Sequence, residues 1–152
     1  MIHRFLAVYG YINVSGGYLL TDVENIVRVG PTMGIVTSLD ECNQARYGSA
    51  DWQNHIADGE KVFLLENSWY DPIAYLYAGG GISAYSTIDT PAYDDSVLAY
   101  WTKYPDKAPD VIAVKVWGGG EDIPCDSWFE QYLHTHYELS GEGMLWHFYR
   151  PR

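Results

Sequence analysis

The chain has 152 residues, 47% of them apolar and 19% charged. That suffices for one folded domain with a hydrophobic core and excludes disorder as its main state. Nine Lys and Arg against twenty Asp and Glu leave a formal charge of −11, which repels nucleic-acid phosphates and anionic lipid head groups and excludes nucleic acid as a partner.

In chain order, the apolar and aromatic stretches 2–12 and 18–29 flank Ser15-Gly16-Gly17 and predict extended segments joined by a turn. Gly30-Pro31 ends that run, and Ile35-Val36-Thr37 predicts a short strand. Ser38-Leu39-Asp40-Glu41 is a capping box, in which two side chains satisfy orphan helix donors, so a helix is expected over 39–57. Gly48-Ser49 should bend or break it. A strand over 61–66 follows, then a helix over 72–78 opened by Asp71-Pro72 and stopped by Gly79-Gly80-Gly81. Residues 82–87 predict a strand, and Ser96 to Tyr104 a helix closed by Pro105. Val111 to Trp117 is an almost unbroken apolar run of the kind covered on both faces, which makes it the expected central strand. Asp126 is expected to cap a helix bearing Trp128, Phe129, Tyr132 and Leu133, and residues 144–149 to form the last strand.

Strands alternating with helices from residue 59 onward predict a single α/β domain over 1–152. The expected architecture is a Rossmann-like three-layer fold with a mostly parallel or mixed sheet. Residues 1–36 form an irregular N-terminal β extension and 37–152 the βα units. No window approaches 18 consecutive apolar residues, and neither a membrane-spanning helix nor an export signal is expected in the sequence. Cys42 and Cys125 stand 83 positions apart without a C-x-x-C pattern. They read as two free, mostly buried thiols, with one long-range disulfide as the alternative.

Two stretches carry a resemblance: Gly30-Pro31-Thr32-Met33-Gly34-Ile35 with the helix after it, and Ser86-Thr87-Ile88-Asp89-Thr90-Pro91 with Tyr100-Trp101, Tyr104 to Lys107 and Pro109 to Ile112. Roughly residues 25 to 117 resemble the soluble region that follows the membrane spans in bacterial multi-spanning glycosyltransferases of the dolichyl-phosphate-mannose type and related cell-envelope proteins. The resemblance implies an accessory or acceptor-binding domain on the outer side of the cytoplasmic membrane, joined to the membrane through a parent segment. The catalytic carboxylate of such enzymes lies in the membrane part, so no catalytic residue carries over to any position here.

Several patterns invite chemistry. His134-Thr135-His136-Tyr137-Glu138 would line up three metal-capable side chains in a strand, but the segment continues the capped helix, where residues two apart point about 200° from each other. No metal and no cofactor is expected. Gly118-Gly119-Gly120 follows the central strand at the end where α/β folds bind ligands, yet Glu121 and Asp122 follow at once and no phosphate-binding pattern is present, so it reads as a flexible turn. No nucleophile signature stands out. Fourteen Tyr, six Trp and four Phe make the chain rich in rings that suit sugar stacking or interfaces. Trp69, Tyr70 and Asp71, in the loop after the strand 61–66, are the preferred ligand-binding residues, with Glu121 and Asp122 as the second candidate group.

Three functions fit these features. The first is a non-catalytic soluble domain of a membrane-bound glycosyltransferase or other glycan-assembly protein, contacting a saccharide or lipid-linked sugar. The second is a small soluble hydrolase using carboxylates near Glu121 and Asp122. The third is a protein-interaction module, marked by an exposed aromatic patch.

Overall fold

The computed structural model describes residues 25–28, 33–37, 39–65, 81–83 and 96–152. The chain divides into two compact units, Met1–Ala50 and Asp51–Arg152.

In the first unit, β1 (Asn25–Ile26) pairs antiparallel with β2 (Val36–Thr37), which places the expected Ile35–Thr37 strand. Gly34, at φ +95°, supplies the left-handed backbone of the connection. Helix α1 (Leu39–His55) runs through Gly48 and Ser49 without the break that was one of the two expected outcomes. Ala45, Gly48, Ser49 and Trp52 fall on one buried stripe, and burial of that face outweighs the intrinsic glycine penalty of about 1 kcal/mol. Ser38 lies outside the described residues, as do the expected helix 72–78 and most of the strand 82–87.

The second unit is α/β with a mixed sheet. Its strands are β3 (Val62–Leu65), β4 (Val111–Trp117), β5 (Gly120–Glu121), β6 (Tyr137–Glu142) and β7 (Trp146–Pro151). The order is β3-β4-β7-β6, with β5 paired to the far end of β4. β3 and β4 are parallel, Val62 opposite Val111, and the connection between them contains α2 (Ser96–Lys103) and a 3-10 turn at Pro105–Lys107. A further parallel bridge joins Val62 to Ile82. Beyond β4 every pairing is antiparallel. As its apolar run requires, β4 is central, flanked by β3 and β7.

Alternation along the strands separates two cores. On one face Phe63, Leu65, Ile112 and Val114 pack against Val97 and Trp101 of α2 and against Phe129 and Leu133 of α3 (Trp128–His136). Phe63 meets Trp101 edge to face at 4.9 Å. On the other face Val62, Leu64, Val111, Ala113 and Phe148 pack against Trp52, which meets Trp146 at 5.6 Å and Phe148 at 6.1 Å, both edge-on. Each edge-to-face pair adds about 0.5–1.5 kcal/mol beyond the area it buries.

Three sequence expectations are corrected here. The cap of α3 is Ser127, whose hydroxyl accepts the Glu130 N–H at 3.0 Å, while the Asp126 N–H donates to the Glu130 carboxylate at 2.7 Å. Ser127-x-x-Glu130 is thus a capping pair, and Asp126 takes the left-handed φ of 57° that Asp tolerates before it. α3 ends at His136 instead of continuing, and Tyr137 begins β6, which the sequence reading did not predict. The last strand is shifted to Trp146–Pro151, because Met144 and Leu145 form the turn of the β6–β7 hairpin, closed by the Gly143 N–H on the Trp146 carbonyl at 2.7 Å.

That hairpin is pinned to the end of α1. Asp51, 6% exposed, accepts the N–H groups of Met144 at 3.0 Å and Leu145 at 2.8 Å. Gly143 lies so near that an added Cβ would sit 2.3 Å from the Asp51 Cγ, and one on Gly141 would sit 2.3 Å from the His55 Nδ1. His55 stacks on Phe148 at 4.7 Å. Arg150 reaches the same helix end, donating to the His55 carbonyl at 3.0 Å and to both carboxylate oxygens of Glu60.

Candidate functional site

The hairpin β4–β5 is the frame of the site. Trp117 pairs with Gly120, so Gly118 and Gly119 are a two-residue loop, with φ of +62° and +90°. Positive φ at both loop positions is what a type I′ hairpin requires and what glycine permits. The Gly-rich stretch read as a flexible turn is therefore a tight hairpin that turns the chain back and delivers Glu121 opposite Val116.

From there the Glu121 side chain crosses β4 to β7. Its Oε1 lies 2.6 Å from the His147 Nδ1 and accepts the Tyr149 hydroxyl at 2.6 Å. Both partners come from one strand face, since His147 and Tyr149 are two apart on β7 and stand opposite Val114 and Ile112. The site is half open: the side chains of His147 and Glu121 retain 24% and 22% of their exposure. Tyr149 is buried, and its phenol is held above the ordinary range, first by desolvation, then by its hydrogen bond to Glu121 and by the charges of Glu121 and Glu142. Glu142 stands across from His147 on β6, and the His134 ring lies edge-on to Tyr149 at 6.3 Å.

Of the sequence candidates, Glu121 takes part in this cluster. The Asp122 N–H extends the ladder to the Lys115 carbonyl at 2.8 Å, and alternation of the extended chain directs the two acids to opposite faces. Trp69, Tyr70 and Asp71 lie outside the described residues. His134 and His136 are both on α3 with Glu138 beyond it on β6, and among the described residues no group of three His, Cys, Asp or Glu is placed to hold a metal. Both cysteines are free, but Cys125 is exposed, not buried as expected, because it lies in the turn before α3. Among the described residues no helix is long and apolar enough to cross a membrane.

His147 and Tyr149 were not singled out by sequence. Their signal was the alternation His147-Phe148-Tyr149, which puts both rings on one face. Their meeting with Glu121 depends on the register of two antiparallel pairs, which local sequence does not encode.

Chemically, the cluster is a carboxylate holding an imidazole and a phenol. Among the described residues the second Glu121 oxygen and the His147 Nε2 have no further hydrogen-bond partner. No family model, curated protein or solved structure matches the chain.

Proposed function

We propose that the chain is a soluble domain of a membrane-bound glycosyltransferase or other glycan-assembly protein, and that it holds a saccharide, free or lipid-linked, at Glu121 and His147. The observation that carries this reading is the partly exposed Glu121–His147 pair, in which one carboxylate oxygen and one ring nitrogen have no further partner among the described residues and are placed to meet hydroxyl groups. An acceptor-rich site in a chain of charge −11 suits a neutral polyol and disfavours a phosphate held on its own. Packing of α2 and α3 on one sheet face and of Trp52 on the other supports the finer description of the fold as a Rossmann-like three-layer domain.

The test is a titration of the isotopically labelled chain with neutral mono- and disaccharides, followed by amide NMR. Shifts confined to the ends of β5 and β7, and lost in Glu121→Ala, are the expected result. Saccharides that move no amide there would overturn the site, and a native gene product that fractionates without any membrane partner would overturn the setting.

A further inference from the structure

We propose that the same cluster hydrolyses a carboxylic ester carried by the bound hydroxyl-rich ligand, with His147 as general base and Glu121 as its positioning residue. The choice of an acylated saccharide as substrate rests on the binding reading above, whereas the proton chemistry rests on the cluster alone.

The geometry supplies what a single base needs. A short bond between Nδ1 and the Glu121 carboxylate puts a ring proton on Nδ1, and in that tautomer the lone pair sits on Nε2. Glu121 is itself held by the Tyr149 hydroxyl at 2.6 Å, and Tyr149 is anchored in the core beneath it, 6% exposed. The ring orientation is thereby set by two strands and a buried phenol. A His147 side chain with 24% of its exposure is reachable by substrate and still partly desolvated, which strengthens its interaction with the carboxylate as the ring becomes charged.

Substrate class follows from what surrounds Nε2. No hydroxyl or thiol of the described residues is bonded to it, and water is the nucleophile of the proposed reaction. Phosphate esters meet Glu121, Glu142 and the overall negative charge. An amide nitrogen is a far poorer leaving group than an ester oxygen, which takes its proton back from the imidazolium as the bond breaks. In the reaction Nε2 removes a proton from water as the water oxygen bonds to the acyl carbon, and the carbonyl electron pair moves onto oxygen. Collapse of that tetrahedral adduct re-forms the carbonyl and breaks the bond to the alkoxy oxygen, which receives the proton from Nε2. Water and ester become acid and alcohol, with no change in oxidation state.

The experiment compares the full chain with His147→Gln, Glu121→Gln and Tyr149→Phe, each shown to be folded by circular dichroism, on p-nitrophenyl acetate and on a mono-O-acetylated methyl glucoside. The expected result is turnover of both esters by the wild-type chain above the rate of an equal concentration of imidazole. His147→Gln should lower kcat by about 10²–10⁴-fold. Glu121→Gln should lower kcat more than it raises KM and displace the pH profile, an effect that a purely structural role would not produce. A wild-type rate no greater than that of an equal concentration of imidazole overturns the proposal, as does full activity in folded His147→Gln. Saccharide-induced shifts without ester turnover would refute the dyad and leave the binding reading standing. Turnover of p-nitrophenyl acetate without any saccharide response would do the reverse.

Discussion

Replacing Asp51 tests the contact that ties the end of α1 to the β6–β7 turn. Its carboxylate accepts two backbone N–H groups, Met144 at 3.0 Å and Leu145 at 2.8 Å, and is almost fully buried. A hydrogen bond to a charged group contributes about 1.5–3 kcal/mol. Met144 is 65% exposed, so in Asp51→Ala its N–H recovers part of its loss from water while that of Leu145 recovers less. The expected destabilisation is about 3 kcal/mol, which for a unit of this size lowers Tm by about 10–20 °C. Urea titration with an unchanged m-value, alongside a thermal scan, measures it. Because Gly143 approaches Asp51 so closely, Gly143→Ala should destabilise through the same contact, and the double variant should lose less than the two single losses added. A loss below about 0.5 kcal/mol in Asp51→Ala, or strict additivity with Gly143→Ala, would refute the assignment of this carboxylate as the clamp.

Other expectations follow from the same unit. Gly141→Ala should cost about 1–3 kcal/mol through overlap with the His55 ring, and His55→Ala should relieve most of it, read as a non-additive pair in urea titrations. Glu60 is held below its ordinary value of 4.5, chiefly by its hydrogen bond to Arg150, with burial opposing and the Ala57 N–H assisting. A lowered carboxyl stabilises the fold above 4.5 and loses that contribution as pH falls through the folded value. Stability measured across the acid range should therefore decline less steeply in Glu60→Gln, and an unchanged slope would remove the pair from the account. Tyr149 is raised above 10.0, so its contribution is full below that value and is lost as pH rises beyond it. In ultraviolet titration one late tyrosinate should therefore disappear in Tyr149→Phe.

The legible parts of the sequence were those whose pattern is local and dense. Val111 to Trp117 announced a strand buried on both faces, and the structure puts it between β3 and β7. Ser96 to Lys103 showed its helix by spacing, and residues 39–55 carried theirs despite Gly48. The Ser127-x-x-Glu130 cap was present but overlooked in favour of the preceding Asp126. β6 was missed for a physical reason: Tyr137-Glu138-Leu139-Ser140-Gly141-Glu142 is an exposed edge with a register shift between Leu139 and Gly141, so it lacks both β-branched residues and clean alternation. Glu121 could be named as a candidate because it follows the glycine turn at the carboxyl end of the central strand, where α/β folds bind ligands. His147 and Tyr149 could not be joined to it, since their proximity arises from the ladders β4–β5 and β4–β7, and no nearby spacing records either.

The position of β7 sets the order in which this sheet can be built. β7 lies between β4 and β6, yet it is the last of them to be made. While the ribosome adds the residues from 118 to 151, at about 5–20 residues per second, β4 has a parallel partner on one side and an open row of amide and carbonyl groups on the other. β6 emerges earlier but has nothing to pair with until β7 arrives. Sheet assembly is consequently deferred to a single late insertion, and until β7 is in place Ile112 and Val114 border an unpaired apolar edge of β4.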